Sequence, residues 1–214
     1  MKTFLAGSLI TASLFIVTGM AAPTGGLTSQ QLAVLNTMSI VHVPNGQGGT
    51  TQTLRITGVD VQIVNGVGTS LSANGVGNLV MGYNELRNDG SDDHNGSHNI
   101  IAGTRNNYSK SCGVNIGFEN ELHGEMASLI STENSNVSDW CSNITGGYLN
   151  TVMGKWSAIT SGAYCTNWGD NSHICGGNQN NIYQGTFAGT VGGGSNRAVA
   201  ASYNWAAGSL YQNN

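Results

Sequence analysis

The C-terminal part of the chain repeats itself every fifteen residues. Three consecutive stretches read SNITGGYLNTVMGKW, SAITSGAYCTNWGDN and SHICGGNQNNIYQGT, and each has Ser first, Ile third and Gly sixth. A repeat this short cannot enclose a hydrophobic core alone, so its copies must cover one another by stacking. Helical-pair repeats need about thirty residues or more, and frequent Gly disfavours helix. The period therefore predicts an all-β fold, a parallel β-solenoid of about fifteen-residue coils.

Two apolar columns follow the same period. From about Val76 onward a small residue marks each repeat, as at Gly147 and Gly177, and in the last repeats at Gly193 and Gly208. The position three residues before this landmark predicts a buried core column with these members: Leu79, Ile100, Val114, Leu129, Ile144, Ile159, Ile174 and Trp205. The position five residues after it predicts a second column at Tyr108, Leu122, Val137, Val152, Asn167, Ile182 and Ala198.

Residues 1–21 have the three parts of a secretory signal peptide. Lys2 is the charged start, residues 4–17 are apolar, and Gly19 and Ala21 supply small residues at a cleavage site. The apolar stretch is shorter than the ~20 residues that a membrane span needs. We expect cleavage after Ala21, a secreted or cell-surface location, and no membrane span in the mature chain.

Between the signal peptide and the repeats, residues 22–75 predict an N-terminal helix and a β cap, followed by the repeat domain at 76–214. Thr28 and Gln31 have capping-box spacing, which predicts a helix from about Ser29 to Asn36. The runs 40–43 and 54–57 flank a turn-rich loop and predict a hairpin. Alternation over 59–63 predicts another strand, and residues 89–96 are expected to bulge out as a loop.

Charge and motifs exclude several functions. Only 8% of the residues are charged and the net charge is −4, whereas nucleic acids and anionic membranes demand clustered Lys and Arg. Neither is an expected partner. The run 192–194 lacks the Lys-Ser/Thr ending of a phosphate loop, so no cofactor is expected. Because there is no Gly-x-Ser-x-Gly nucleophile and no paired carboxylates in one repeat column, we expect a chain that is not an enzyme.

Two acidic clusters are candidate ligand sites. The inserted loop collects oxygen ligands that could hold Ca²⁺, namely Asp89, Asp92, Asp93 and Asn95. The same residue types dominate ordinary turns, so a solvated loop is the alternative. A second cluster alternates along the chain and would share one face of a strand, as a cation or partner site or as a solvated face. Its members are Glu119, Glu121, His123 and Glu125.

Export permits disulfides among the four cysteines. Cys112 and Cys141 share a repeat position but lie two coils apart, about 9.6 Å at the stacking distance and beyond the ~7 Å limit for a bridge. Cys165 and Cys175 are ten residues apart, across one coil, and are the favoured pair. Four buried thiols are the alternative. N-glycosylation sequons begin at Asn95, Asn107, Asn136 and Asn143.

The repeats resemble a known family. The pattern Ser-x-Ile-x-Gly-Gly-x-x-Asn, at 142–150 and 172–180, is similar to the YadA-like head repeats of trimeric autotransporter adhesins. The stretches GVGNLVMGYNELR and GSHNIIAGTRNNYS resemble the opening of a secreted bacterial group with such repeats. The resemblance implies a left-handed parallel β-roll, three chains side by side, and a role in surface attachment. Because the chain lacks a heptad stalk and a membrane-anchoring barrel, we expect a secreted, anchor-less relative with an unidentified extracellular or surface ligand.

Bulky apolar residues outside both columns also argue for assembly. A monomer would expose several of them, and exposed apolar patches usually mark interfaces: Trp140, Met153, Trp156, Trp168 and Phe187. We expect a homotrimeric adhesion module whose N-terminal segment caps each roll. The alternative is a lone solenoid whose flat face binds glycan or another ordered surface. That function needs a regular outward column, whereas the position after Ile reads Thr145, Thr160, Cys175.

Overall fold

The computed structural model describes residues 26–212, so the predicted signal peptide lies outside the described residues. The chain divides into two compact units, the first ending at Val61 and the second beginning at Gln62. Nearly every regular element is a strand, and the single helix of the described residues is α1 (Ser29–Asn36). No helix within residues 26–212 is long and apolar enough to cross a membrane.

The first unit contains α1 and a hairpin. The Thr28 hydroxyl accepts a hydrogen bond from the Gln31 backbone N–H, and the Gln31 side chain accepts one from the Thr28 N–H, so the predicted capping box is present. Strands β1 (Met38–Pro44) and β2 (Thr50–Ile56) pair antiparallel around the predicted loop. The strand predicted at 59–63 is wrong. Its apolar residues are all exposed, and alternation alone does not supply the partner strand that a β-strand requires.

The second unit is a β-solenoid built from two parallel sheets, which we call the long sheet and the short sheet. The long sheet contains β3 (Leu79–Met81), β4 (Ile100–Thr104), β6 (Val114–Phe118), β8 (Ser128–Glu133), β10 (Asn143–Ile144), β11 (Gly147–Tyr148), β13 (Ala158–Ile159), β15 (His173–Ile174), β17 (Thr190–Val191), β19 (Trp205–Ala207) and β20 (Leu210–Gln212). The short sheet contains β5 (Asn107–Tyr108), β7 (Glu121–Leu122), β9 (Asn136–Val137), β12 (Thr151–Val152), β14 (Thr166–Asn167), β16 (Asn181–Ile182) and β18 (Ala198–Val199).

From β4 to β18 each coil contributes to both sheets and pairs with the coils before and after it, and one of these coils contributes both β10 and β11 to the long sheet. Ile144, for example, pairs with Leu129 on one side and Ile159 on the other, in parallel register. The strand β20 is the exception, because it pairs antiparallel with β19. The fifteen-residue period predicted from the sequence is therefore the length of one turn of a parallel β-solenoid.

The core consists mainly of one inward side chain from each sheet in each coil. In the middle coils Leu129, Ile144, Ile159 and Ile174 of the long sheet are fully buried. The second column is buried from Tyr108 to Ile182 as predicted, and ends at Val199 instead of Ala198. These two columns face each other across the interior, with the following core members: Ile101, Tyr108, Leu122, Leu129, Val137, Ile144, Val152, Ile159, Ile174, Ile182, Val191, Val199 and Ala206.

At both ends of the long sheet the predicted core column is one residue out of register. Leu79 is 44% exposed and Ile100 is 39% exposed, and Val114 is only half-buried. Their neighbours Ile101 and Asn115 face the interior instead. Because successive strand residues point to opposite faces, a shift of one residue moves the predicted side chains from the interior face of the sheet to its outer face. At the other end Trp205 is half-buried, and Ala206 occupies the core.

Two irregularities cause this shift. Between β6 and β8 the pairing passes from Ile116↔Ile130 to Gly117↔Thr132, so Ser131 is an extra residue. Later, Ile182 pairs with Val199, which makes that coil two residues longer. The landmark of that coil is consequently Gly194 and not Gly193, since the Asn180 side chain donates to the Gly194 carbonyl.

The repeated Asn forms a ladder through the interior. Its side-chain oxygen accepts the backbone N–H at the same position of the next coil, as in Cys165 N to Asn150 Oδ1 (3.0 Å). Its side-chain nitrogen donates to the landmark carbonyl of the next coil, as in Asn150 Nδ2 to Gly162 O (2.8 Å). One buried side chain thus satisfies the Cys165 N–H and adds a second hydrogen bond to the Gly162 carbonyl, which also accepts the Tyr148 N–H.

The Ser that begins each repeat forms a second ladder. Ser142 Oγ accepts from Ser157 N (3.3 Å), and Ser157 Oγ accepts from Ser172 N (3.1 Å). Each of these serines is buried. The polar repeat positions therefore hold the coil corners together, while the apolar positions fill the space between the sheets.

Residues 62–75 belong to the solenoid unit, although the sequence places them in the N-terminal segment. Asn65 donates its backbone N–H to His98 Nε2 (3.1 Å), and the Asn74 N–H donates to Ser97 Oγ (3.0 Å). The Ser70 carbonyl contacts His98 Nδ1 (3.0 Å). These bonds attach the segment to the first coil.

Candidate functional site

The inserted loop uses its acidic side chains to fold itself. Asp89 accepts hydrogen bonds from the Ser91 backbone and hydroxyl, which lower the pKa of its carboxyl. Asp92 accepts from the Arg87 backbone N–H (2.7 Å), and Asp93 accepts from the Asn95 N–H (3.1 Å) and side chain (2.8 Å). Within residues 26–212 no three His, Cys, Asp or Glu side chains converge as a metal site. The predicted calcium ligands of the loop are therefore not assembled into a metal site within residues 26–212, and the loop has the hydrogen bonding of ordinary Asx turns.

The acidic run beside this loop is bound by two arginines. Arg87, just before the inserted loop, pairs with Glu121 (Nη1 to Oε1, 2.8 Å) and donates to the backbone carbonyls of Glu119 and Asn120. Arg105 pairs with Glu119 at 2.6 Å. The run predicted to share one strand face is thus divided between two ion pairs, one to Arg87 and one to Arg105.

The pKa of the Glu121 carboxyl falls to about 2. Its contact with His123 and its hydrogen bond to Arg87 lower the value, while partial burial raises it. The Arg87 contact is the shorter of the two, at 2.8 Å against 3.7 Å for His123 Nε2. A carboxyl that stays ionised in this way does not carry a proton near neutral pH, so Glu121 is unsuited to general acid catalysis.

The predicted disulfide between Cys165 and Cys175 is wrong, and all four cysteines are free. Cys165 is buried, and burial raises the pKa of its thiol. Cys175 follows the inward-facing Ile174, so strand alternation turns it outward, where it is exposed. The two thiols therefore face opposite sides of the coil wall. Cys112 and Cys141 are half-buried at one corner of the solenoid.

The four sequons differ in accessibility. Asn107 is buried and its side chain donates to the Ser91 carbonyl (2.7 Å), so its amide is occupied in the folded chain. Asn136 and Asn143 are half-buried, and Asn95 is exposed on the inserted loop. The folded chain offers Asn95 as the most accessible acceptor.

Aromatic side chains pair along the outside of the coil corners. The ring centroids lie 6.1 Å apart in Trp140–Trp156, 5.6 Å in Tyr148–Tyr164 and 5.8 Å in Phe187–Tyr203. The second member of each pair has positive φ, and its N–H donates to the carbonyl of the first, as in Trp156 N to Trp140 O (3.1 Å). This corner bond brings together side chains sixteen residues apart, which is one coil plus one residue.

A cleft of about 500 Å³ opens at the corner of the solenoid that directly follows the short-sheet strands of each coil. We call it the aromatic cleft, and its principal lining residues are Asp139, Met153, Lys155, Trp168, Asp170 and Phe187. Met153 and Trp168 are neighbours in the outward column of the short sheet, because each directly follows a core residue. The two-residue insertion Gln184–Gly185 and the adjoining Thr186 form another part of the lining.

An apolar surface also covers the first coils of the long sheet. The residues that were predicted to be buried there face outward, together with their alternate neighbours on the strands. We call this surface the aliphatic strip, and it contains Leu79, Met81, Ile100, Val114, Ile116 and Ile130. Further along the same outward rows the residues become polar or small, as at Thr145, Thr160 and Gly192.

No protein-family model, curated protein or solved structure matches this chain. The candidate surfaces therefore rest on the geometry alone.

Sequence reasoning identified the bulky residues Trp140, Trp156, Trp168 and Phe187 as lying outside the core, and all four are exposed. It missed that Trp168, Met153 and Phe187 line one cleft. The signals that could have found these features are the sixteen-residue spacing of aromatic pairs and the insertion at 184–185, which lengthens a single coil.

Proposed function

We propose that the chain is an exported, non-enzymatic surface-attachment module that acts as a homotrimer. The observation that carries this proposal is the aliphatic strip on the outer face of the long sheet. Leu79, Met81 and Ile100 are each more than a third exposed in the single chain. A contiguous apolar surface on a flat sheet is the kind of surface that soluble proteins cover by association.

The strip is suited to contact between copies because a parallel sheet is regular along its length. Its side chains occupy two rows that follow the strand pairing, Leu79–Ile100–Val114 and Met81–Ala102–Ile116–Ile130. Packing this face against other copies would remove both rows from water. Burial of apolar area contributes about 25 cal/mol per Å².

The oligomer is tested by substituting one member of the strip. Ile130→Lys places a charge on the strip and is expected to shift the mass in light scattering from three chains to one, where one full chain is 22.2 kDa. The matched control is Thr160→Lys, which lies two coils further along the same outward row and outside the strip. A wild-type chain that scatters as a monomer at micromolar concentration contradicts the trimer.

The proposal also includes export and the absence of catalysis. Secreted protein is expected to begin at Ala22, as read by N-terminal sequencing. The carboxylates Glu119 and Glu121 are engaged by Arg105 and Arg87, which suits a structural role. Turnover of a polysaccharide that disappears in Glu121→Gln, with the fold retained, would overturn the non-enzyme assignment.

A further inference from the structure

We propose that the aromatic cleft binds a neutral oligosaccharide, and that this is the ligand chemistry of the attachment function proposed above. The inference rests on that proposed function for its biological setting. Its physical basis is the combination of aromatic walls, oriented polar groups and size at one corner of the solenoid.

The cleft walls present aromatic and thioether surface that is not covered by the rest of the chain. Trp168 is 39% exposed and Phe187 is also exposed, and both line the cleft, with Met153 beside Trp168. A pyranose ring has one face made of C–H groups, which packs against an aromatic ring while the sugar hydroxyls remain free to hydrogen-bond. Large, rigid aromatic side chains provide such contact at low conformational cost.

The carboxylates of the cleft are oriented by the backbone. Asp170 Oδ1 accepts the Lys155 backbone N–H (2.9 Å), and Asp139 Oδ1 accepts the Trp140 N–H (2.7 Å). The second oxygen of each carboxylate has no hydrogen-bond partner in the described part of the chain. Two fixed acceptors at the cleft are therefore available to sugar hydroxyl donors.

Thr186 supplies an independent indication of a ligand. This residue lines the cleft and is 2% exposed, and its hydroxyl Oγ1 has no hydrogen-bond partner among residues 26–212. A buried hydroxyl without a partner is costly, and among the six buried side-chain atoms of this kind within residues 26–212 the Thr186 hydroxyl is the one that belongs to the cleft lining. A polar ligand in the adjoining cleft would relieve this cost after a small rotation of the side chain.

Charge and size select the class of sugar. Asp139 and Asp170 outnumber the single cation Lys155, so the cleft disfavours acidic sugars. Its volume of about 500 Å³ lies within the usual range for small-ligand sites. The side chains of its walls are exposed, so the cleft is open to solvent and a longer oligosaccharide can extend beyond it.

The test is titration calorimetry of the full mature chain with three neutral probes: maltotetraose, cellotetraose and the tetramer of N-acetylglucosamine. We expect at least one to bind at concentrations up to about 10 mM. Trp168→Ala should weaken that binding by about tenfold or more, as expected for loss of a central aromatic contact. Asp170→Asn should also weaken it, while keeping the Oδ1 acceptor that orients the side chain.

The matched control is Trp156→Ala, which removes an exposed tryptophan of the neighbouring aromatic pair outside the cleft lining. It should leave the affinity unchanged, and the melting temperatures of all variants show whether each is folded. The proposal is overturned if none of the three probes binds, if binding is insensitive to Trp168→Ala, or if only an acidic oligosaccharide binds. Light scattering on the same samples separates the two proposals. A monomer that still shows Trp168-dependent binding contradicts only the trimer, and a trimer that binds none of the probes contradicts only the oligosaccharide site.

Discussion

At the scale of single residues, the landmark Gly is the position that the coil geometry restricts most. Gly147 has φ of +100°, and a Cβ built there would collide with the Gly162 carbonyl oxygen of the next coil. That carbonyl also accepts the Asn150 side chain. Only Gly allows the backbone to turn at this place and leaves room for the adjacent coil. The preceding Gly146 has neither restriction, since its nearest neighbour would be 3.7 Å away.

This contrast predicts the effect of two adjacent substitutions. Gly147→Ala should reduce the free energy of unfolding by about 3 kcal/mol or more, because it adds both backbone strain and a backbone clash. Gly146→Ala should change it by less than about 1 kcal/mol. Urea unfolding followed by circular dichroism measures both, and equal effects would contradict the assigned corner geometry.

Glu121 predicts a dependence of stability on acid. Its folded pKa of about 2 lies below the ordinary value of 4.5, so the ionised form is favoured by folding. The resulting stabilisation is fully present above about pH 4.5 and is lost as the pH falls through 2. In Glu121→Gln the melting temperature should therefore fall at pH 7 and approach that of the wild type near pH 2. A difference that is constant over this pH range would show that the Glu121 ion pairs contribute nothing.

At the scale of elements, the inward side chain of each short strand holds the two sheets together. Ile159 of β13 is fully buried, while Thr160, which directly follows this strand, is exposed. Ile159→Asp should cost several kcal/mol, about 3–5, because it buries a charge with no partner. Thr160→Asp, the control, should change the melting temperature little. Equal melting temperatures for both variants would place Ile159 outside the core.

The sequence predicts the inward side chains only where the coils are uniform in length. From Leu129 to Ile174 the spacing is constant, and counting from the landmark finds the core. The additional Ser131 and the insertion at 184–185 change the phase by one or two residues. The apolar residues Ile100 and Ile101 are adjacent, so the sequence does not indicate which of them faces inward.

The candidate site was less predictable than the fold for the same reason. The aromatic cleft depends on Gln184–Gly185, an insertion that occurs in one coil and therefore leaves no periodic signal. The ion pairs of Arg87 with Glu121 join residues 34 positions apart, across the inserted loop. Repeats predict what each coil shares with its neighbours, whereas the insertion that helps to line the candidate cleft is a departure from the repeat.

At the scale of the whole molecule, the backbone pairing of the solenoid joins each coil to its neighbours along the stack. The strand ladders and the Asn and Ser ladders all join adjacent coils, as in Asn150 to Cys165 and Ser157 to Ser172. Stability in such a fold is approximately a sum of coil and nearest-neighbour contributions. No contact of the middle coils requires a particular total number of them.

This modularity predicts that one coil can be removed. Deleting residues 157–171 joins Trp156 to Ser172, and Ser172 then occupies the place of Ser157 in the Ser ladder. The shortened chain should remain folded, with a lower melting temperature and an unchanged β-type circular dichroism spectrum. The control deletes 157–163, about half a coil, which puts every later side chain out of phase and should abolish cooperative unfolding. A half-coil deletion as stable as the full-coil deletion would contradict the stacked architecture.

The Ser and Asn ladders also carry an evolutionary consequence. Within the uniform coils from Leu129 to Ile174, a gene segment that encodes one coil can be duplicated or lost in frame, because the protein junction is the same wherever the cut falls. Each such event changes the reach of the molecule by one inter-strand spacing of about 4.8 Å. Length is therefore a heritable quantity that selection can adjust in equal steps.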